Sequence, residues 1–549
     1  MRAAVAILLA ILVAGCSESA REKTAAETGG TLVIATLDDP ETLFPPFVQN
    51  TSAKQITEQI YDYLADVGPS LDTRNENDYR HELADGWRWS ADSLSLSFHL
   101  NPRARWHDGK KVTAADVRFT YEVNKSPIVA GRYVSSLDNI DSVTVADSVT
   151  AVFWFHRRSP TQFLDAAAQL LILPSHQLER IPLGRLRQIV LPPPVGSGRF
   201  RFRRWNKGAS VEIVADSPNY RGRAKLDRVI WSVSDFTAAV ARLGRGDVDL
   251  FDGLRPEDMN ELARRPYVRI RYVPGMAYSF LRFNLGDPGD TARPHPLFAD
   301  RDLRRALAMS INRNAIVRSV FDTFATVPVG PTVRAYPTTD PRLAQIPFDS
   351  ARAGRLLDSL GWIRNSTGVR AKNGRELAFR MMVSSQNLNR IKMSVLLQEQ
   401  LRRAGARVNV DRMESSAQSA KEEQGDFDTS IGAWTMPSSP DAIRDAWSST
   451  GIGKNGVNYG AYSNRRFDAL LDSALSSDVA HARDKFSAAY EVINDDAPAV
   501  WLAEPRRILG VHSRVRISQI RPDAWWFSLA DWWIPPTERV LRDRIQGLN

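Results

Sequence analysis

Leu94, Leu96 and Phe98 alternate with polar neighbours, the period-two signature of a strand with one face buried. Together with Leu83-Ala84-Asp85-Gly86-Trp87 they predict two strands over 83–100, turning at Asp92-Ser93. Thr31 to Thr36 is a continuous apolar, β-branched run and reads as a buried first strand. Ile56, Ile60 and Leu64 recur at helical spacing and predict an amphipathic helix over 53–65. Further strands are predicted over 140–155 as a pair, at Val229-Ile230-Trp231, over 268–272, 278–285, 377–383 and 406–410. Helices are predicted over 236–244, 303–313, 353–362 with Gly361 as its cap, and 391–404 closed by Gly405. This strand–helix–strand alternation argues for mostly parallel α/β lobes. Residues 500–549 return to strands, and Trp525, Trp526, Trp532 and Trp533 there read as lobe packing.

One stretch is more specific than these periodicities: Arg105-Trp106-His107-Asp108-Gly109-Lys110-Lys111-Val112-Thr113-Ala114-Ala115-Asp116-Val117-Arg118-Phe119-Thr120-Tyr121-Glu122. Asp108-Gly109 is a turn pair, because glycine accepts positive φ and aspartate bonds its own backbone. Thr113 with Asp116 three residues on is close to a capping box, and Ala114, Val117 and Tyr121 then share one helical face. Trp106 and His107 beside the turn read as a packed ring and a satisfied imidazole.

Composition narrows the class. With 549 residues the chain is long enough for two or three domains. The formal net charge is +9, but the basic residues are scattered among acids. A nucleic-acid binder needs a clustered basic face, so that class is set aside in favour of a basic protein working near an anionic membrane. The single cysteine, Cys16, excludes an intramolecular disulfide. Met1-Arg2 followed by the apolar run Ala3 to Ala14 is a short leader, too short to span a bilayer. It ends Leu12-Val13-Ala14-Gly15-Cys16, which resembles a bacterial lipobox. The reading is a signal peptide over 1–15, a lipidated Cys16 and a flexible tether over 16–30.

The 105–122 stretch resembles the signature of the family 5 extracellular solute-binding proteins, the dipeptide/oligopeptide/nickel-binding class serving bacterial ABC importers. Other blocks repeat the resemblance: Leu173-Pro174-Ser175-His176, Val195-Gly196-Ser197-Gly198-Arg199-Phe200, Gly246 to Asp249, Leu303 to Arg313 with Asn312 where Asp is usual, and the helix end at Gly361-Trp362. The resemblance implies a two-lobed α/β fold of periplasmic-binding-protein type (class II) with an extra small domain in the first lobe. The expected boundaries are lobe I over 31–48, 190–275 and 500–549, the additional domain over 49–189, and lobe II over 276–499. Pro274-Gly275 is the expected first hinge crossing.

In such proteins a solute is enclosed between two lobes, with no catalysis and no cofactor or metal of the protein's own. The resemblance places Phe44, Tyr278, Trp434, Pro437, Ser438, Asp441, Asn458 and Arg390 as ligand-binding candidates. Peptide-binding members use an aspartate shortly after a tryptophan to hold the α-amine; that position here is Pro437, which offers neither charge nor N–H. Asp441 is the nearest carboxylate, and also reads as a cap for a helix over 442–447. Arg390 is the nearest arginine to the loop that holds a carboxylate in dipeptide-type members. The missing aspartate points away from a short-peptide binder of the usual kind.

The expected function is a lipid-anchored component of an ABC importer, at the periplasmic or cell-surface face of the membrane. It is expected to act as a monomer, capturing a peptide or peptide-like solute for a membrane permease. The alternatives are an oligosaccharide, opine, haem or nickel-complex binder, a surface receptor that signals to a membrane partner, and a secreted enzyme on the same fold. No Gly-x-Ser-x-Gly, Ser-x-x-Lys or His-Glu-x-x-His occurs, and the eight histidines never fall at metal-ligand spacing. Gly451 to Gly456 spells a dinucleotide fingerprint, but it follows a helical pattern and no helix comes after it.

Overall fold

The computed structural model describes residues 28–129, 137–186, 192–453 and 456–544. Cys16, the leader and most of the tether therefore lie outside the described residues. The described chain forms two compact units, the first of residues 28–69, 75–273 and 507–544, the second of 70–74 and 274–506.

The first unit is built on a seven-stranded sheet. Its spatial order is Val268–Val273, Arg507–His512, Leu250–Phe251, Thr31–Thr36, Arg228–Val233, Ser210–Ala215, Phe200–Asn206. Only Thr31–Thr36 is parallel to its neighbours; the other pairings are antiparallel. The expectation of mostly parallel lobes is therefore corrected to mixed sheets. A direct hairpin joins 200–206 to 210–215, and such connections force antiparallel pairing. Leu32, Ile34, Phe200, Ile213, Val229 and Trp231 fill the core of this unit.

A four-stranded antiparallel sheet, in the order Ala84–Trp89, Ser95–Leu100, Thr150–Phe155, Ile140–Asp147, belongs to the same unit. The range 49–189 does not separate as a compact unit of its own. The helix predicted over 53–65 runs from Thr51 to Ile60, capped by the Asn50 side chain on the Ala53 N–H. Among the described residues beyond His512 the chain makes an isolated bridge, Arg516 with Trp533, and 3-10 turns rather than further strands. Trp525, Trp526 and Trp532 there are buried in the core, as packing predicts.

A buried charge cluster ties the ends of this unit together. Arg514 donates to both oxygens of Asp249 at 2.7 and 2.9 Å, to the Thr31 carbonyl at 2.9 Å and to Asp543. The Arg514 side chain is 3 % exposed and both carboxylates 0 %.

The second unit has a six-stranded sheet in the order Ala325–Thr326, Ala499–Pro505, Ala277–Phe283, Thr429–Thr435, Ala378–Ser384, Arg407–Met413. The pairings among the last three strands are parallel and the rest antiparallel. Besides 70–74 the unit runs from Pro274 and extends to Arg506 rather than ending at 499. The reason is pairing: Ala499–Pro505 is hydrogen-bonded to Ala277–Phe283, and its apolar residues are buried with that sheet.

Candidate functional site

The signature stretch is structural. Asp116 Oδ2 accepts from the Thr113 N–H at 2.8 Å and from the Thr113 hydroxyl at 3.1 Å, closing the expected capping box. Its other oxygen accepts from the Ser175 N–H and hydroxyl at 2.9 and 2.7 Å, pinning the start of the short helix Ser175–Leu178. His176 Nε2 meets Asp108 Oδ2 at 2.7 Å.

His107 clamps the glycine loop. Its Nδ1 accepts from the Gly196 N–H at 3.2 Å, so Nε2 carries the proton and donates to the Gly198 carbonyl at 2.9 Å. Burial holds this imidazole below its ordinary range, which favours the neutral form the geometry requires. The glycines are demanded by close approach. A Cβ on Gly196 would lie 1.8 Å from the Ile60 carbonyl oxygen, and one on Gly198 2.4 Å from that of Gln59. The Val-Gly-Ser-Gly run is therefore a packing contact.

Seven of the eight ligand candidates lie in the second unit and one, Phe44, in the first. Tyr278 and Trp434 are cross-strand partners in the sheet. Tyr278 is fully buried, accepts the Trp447 indole N–H at 3.0 Å and packs edge-on against Trp501; burial raises its phenol pKa. Trp434 keeps its indole N–H buried without a partner. Pro437 is exposed, and its carbonyl accepts from the Tyr336 hydroxyl, which also donates to the Ser439 carbonyl at 3.0 Å. Ser438 sits half-buried between them.

Asp441 does not cap the helix that follows. A 3-10 turn over Pro440–Ala442 leads into Ile443–Trp447, whose start carries no side-chain cap. Asp441 Oδ2 instead accepts from the Ser439 hydroxyl at 2.8 Å, while Oδ1 is buried without a partner. Burial pushes this carboxyl pKa up, against the hydrogen bond from Ser439 and the charge of Arg74. Arg74 donates to the Ala474 and Leu475 carbonyls at 3.0 and 3.1 Å and to that of Ser477, at the C-terminal end of a helix, and its Nε is unpartnered. Nothing in the local sequence around Arg74 signals this role.

Arg390 is half-buried, and its guanidinium makes no hydrogen bond or ion pair among the described residues. Burial lowers its pKa and Glu422 opposes the shift. Asn458 is committed internally: its amide donates to the Ser448 and Tyr462 carbonyls at 2.8 Å each, and its oxygen accepts from the Tyr462 N–H at 3.3 Å. Those bonds use the side chain to hold a loop. Among the candidates, Asp441 and Arg390 are therefore the charged groups with unused hydrogen-bonding capacity.

Among the described residues no group of three or more His, Cys, Asp or Glu is placed to hold a metal ion, and no helix is long and apolar enough to cross a membrane.

Phe44 lines a cavity of about 740 Å³ within the first unit, with Phe47, Tyr61, Phe202 and Trp205. A smaller one of about 340 Å³ in the second unit is lined by Arg74, Thr338 and the first turn of the helix Val479–Asp496.

In fold the chain aligns with the two-lobed solute-binding proteins, which are built on mixed α/β sheets as it is. The profile described as "Bacterial extracellular solute-binding proteins, family 5 Middle" matches residues 78–455, and the chain belongs to that family. The "Oligopeptide-binding protein AppA" of Bacillus subtilis is 26 % identical over 97 % of this chain and 98 % of its own length. The structure of that protein, solved in complex with a nonapeptide, aligns with a TM-score of 0.71 at 25 % identity, covering 92 % of this chain and 99 % of its own. The "Heme-binding protein A" of Haemophilus influenzae is 24 % identical over 92 % of this chain and 94 % of its length. The family is one of binding proteins serving transport, not of enzymes, and works outside the cytoplasm.

Proposed function

We propose that this protein captures a peptide or peptide-like solute with a cationic end and an anionic end and delivers it to an ABC permease. Asp441 takes the cationic end and Arg390 the anionic end. The observation that carries this reading is Asp441 Oδ1, buried without a hydrogen-bond partner on a half-buried side chain that caps no helix. A buried carboxylate oxygen without a donor is costly, and an ammonium group supplies the missing hydrogen bonds. The peptide bound by the AppA relative supports the peptide class. The protein acts as a monomer, closing its lobes about the hinge at Pro274-Gly275 when the solute engages both. Cys16 carries the lipid that holds it at the membrane.

Pro437 favours a second reading, a zwitterionic solute that is not a free short peptide, because the charge stands four residues later than in the family pattern.

Calorimetric titration with di- to pentapeptides and their N-acetylated forms tests the proposal. Free peptides should bind at least about tenfold tighter than acetylated ones, and Asp441→Asn should erase the difference. Equal affinity for both forms in the wild-type protein refutes the role of Asp441. Binding of neither, with a different small zwitterion found by mass spectrometry of the purified protein, selects the second reading.

A further inference from the structure

The 740 Å³ cavity of the first unit is of the size and composition that hold small organic ligands. Its walls carry Phe44, Phe47, Tyr61, Leu178, Phe202 and Trp205, with Thr42, Gln49 and Gln177 as the neutral polar lining. Phe202 and Trp205 both reach it because the register of Phe200–Asn206 shifts between Phe202 and Arg204.

The charges at its mouth are not equivalent. Glu41 lines the cavity, but its Oε1 already accepts the Gln49 and Asn50 backbone N–H groups. Asp39, next to Trp205, accepts the Trp205 indole N–H at 3.1 Å and the Gly208 N–H at 2.9 Å. Both carboxylates are thus engaged by N–H donors. Lys207, the cation in the lining, lies 5.4 Å from the Trp205 ring centre and has no carboxylate partner among the described residues. Arg201 and Arg203, on the same edge strand, also have no ion pair there. A largely apolar cavity whose lining cation, Lys207, has no carboxylate partner among the described residues is complementary to an anion with an apolar body.

We infer that this cavity binds an amphipathic organic anion, with its hydrocarbon or aromatic body among Phe44, Phe202 and Trp205 and its carboxylate at Lys207. This does not rest on the solute reading above, whose charged residues lie in the other unit.

Dansyl-undecanoic acid and its methyl ester are suitable probes, titrated into the full-length protein and followed by dansyl fluorescence. The acid should bind saturably at one site per chain, about tenfold tighter than the ester. Lys207→Met should bring the acid to the affinity of the ester, and Lys207→Arg should restore the preference. Gln177→Trp, which places a bulky ring in the lining, should weaken both probes. Asp441→Asn should leave all of this unchanged while altering peptide binding. No saturable binding, equal affinity for acid and ester, or a preference that survives Lys207→Met overturns the inference. Because Lys207 is exposed, its variants keep the fold, and a melting curve for each verifies this.

Discussion

Replacing Glu82 by glutamine should change the sign of a pH effect, and the structure fixes the window. Glu82 Oε1 accepts from Arg221 at 2.7 Å and Oε2 from the Tyr63 N–H at 2.9 Å. Arg221 also donates to Asp62, whose other oxygen accepts from the Tyr220 hydroxyl at 3.0 Å. Beside them Asp66 is held by Arg80 at 2.8 Å and Arg521 at 3.1 Å, and Arg521 also binds Asp523. Four carboxylates thus share three guanidiniums, and Glu82 bears the excess. Burial, and repulsion from Asp62 and Asp66 that Arg221 only partly offsets, push its carboxyl from 4.5 up to about 7.

Because the folded state holds this proton more tightly than the unfolded chain, stability falls as pH rises from 4.5 to 7. At about 1.4 kcal/mol per unit, the loss reaches an upper bound of ~3 kcal/mol above pH 7. Glutamine removes the charge but turns one acceptor into a donor, a cost of ~1 kcal/mol at all pH values. Glu82→Gln should therefore be less stable than wild type by ~1 kcal/mol at low pH and more stable by up to ~2 kcal/mol at high pH. Urea unfolding followed by tryptophan fluorescence at pH 5 and pH 8 reads the difference between the two proteins. A difference that is the same at both pH values would refute the argument, since neutral packing effects do not titrate.

Arg514→Ala leaves buried Asp543 without its arginine and Asp249 with Arg542 alone, and should cost ~3–5 kcal/mol in urea unfolding, with little dependence on salt. Gly196→Ala drives a methyl into the Ile60 carbonyl and should lower stability by more than ~4 kcal/mol or abolish soluble expression, where Gly109→Ala, with open space around it, costs only the backbone strain of its positive φ. Arg282 is the opposite of Arg514: buried against Phe280, Trp447 and Tyr459, 3.8 Å from Glu422, with Nε and Nη1 lacking acceptors. Arg282→Met should stay within ~1 kcal/mol of wild type, and a loss as large as that of Arg514→Ala would show that its stacking outweighs its desolvation.

Local features were legible and relational ones were not, and particular residues show why. Thr113 and Asp116 stand three apart, so the capping box is a property of one helical turn and the periodicity contains it. Pro274-Gly275 marks the boundary between the units locally, because proline fixes φ and Gly275 stands where a Cβ would lie 1.8 Å from the Pro505 carbonyl oxygen. The mixed sheets were invisible because strand direction depends on where a strand re-enters, and Ala499–Pro505 carries no mark that it will pair with Ala277–Phe283. The site divides along the same line. Asn458 resembles a ligand group in sequence, yet its bonds to Ser448 and Tyr462, ten and four residues away, leave it nothing to offer. Asp441 resembles a helix cap, yet Ser439 turns one oxygen aside and burial leaves the other without a donor. A polar residue becomes a site when the fold withholds a partner from it, and a one-dimensional pattern records the residues present, not the hydrogen bonds they fail to make.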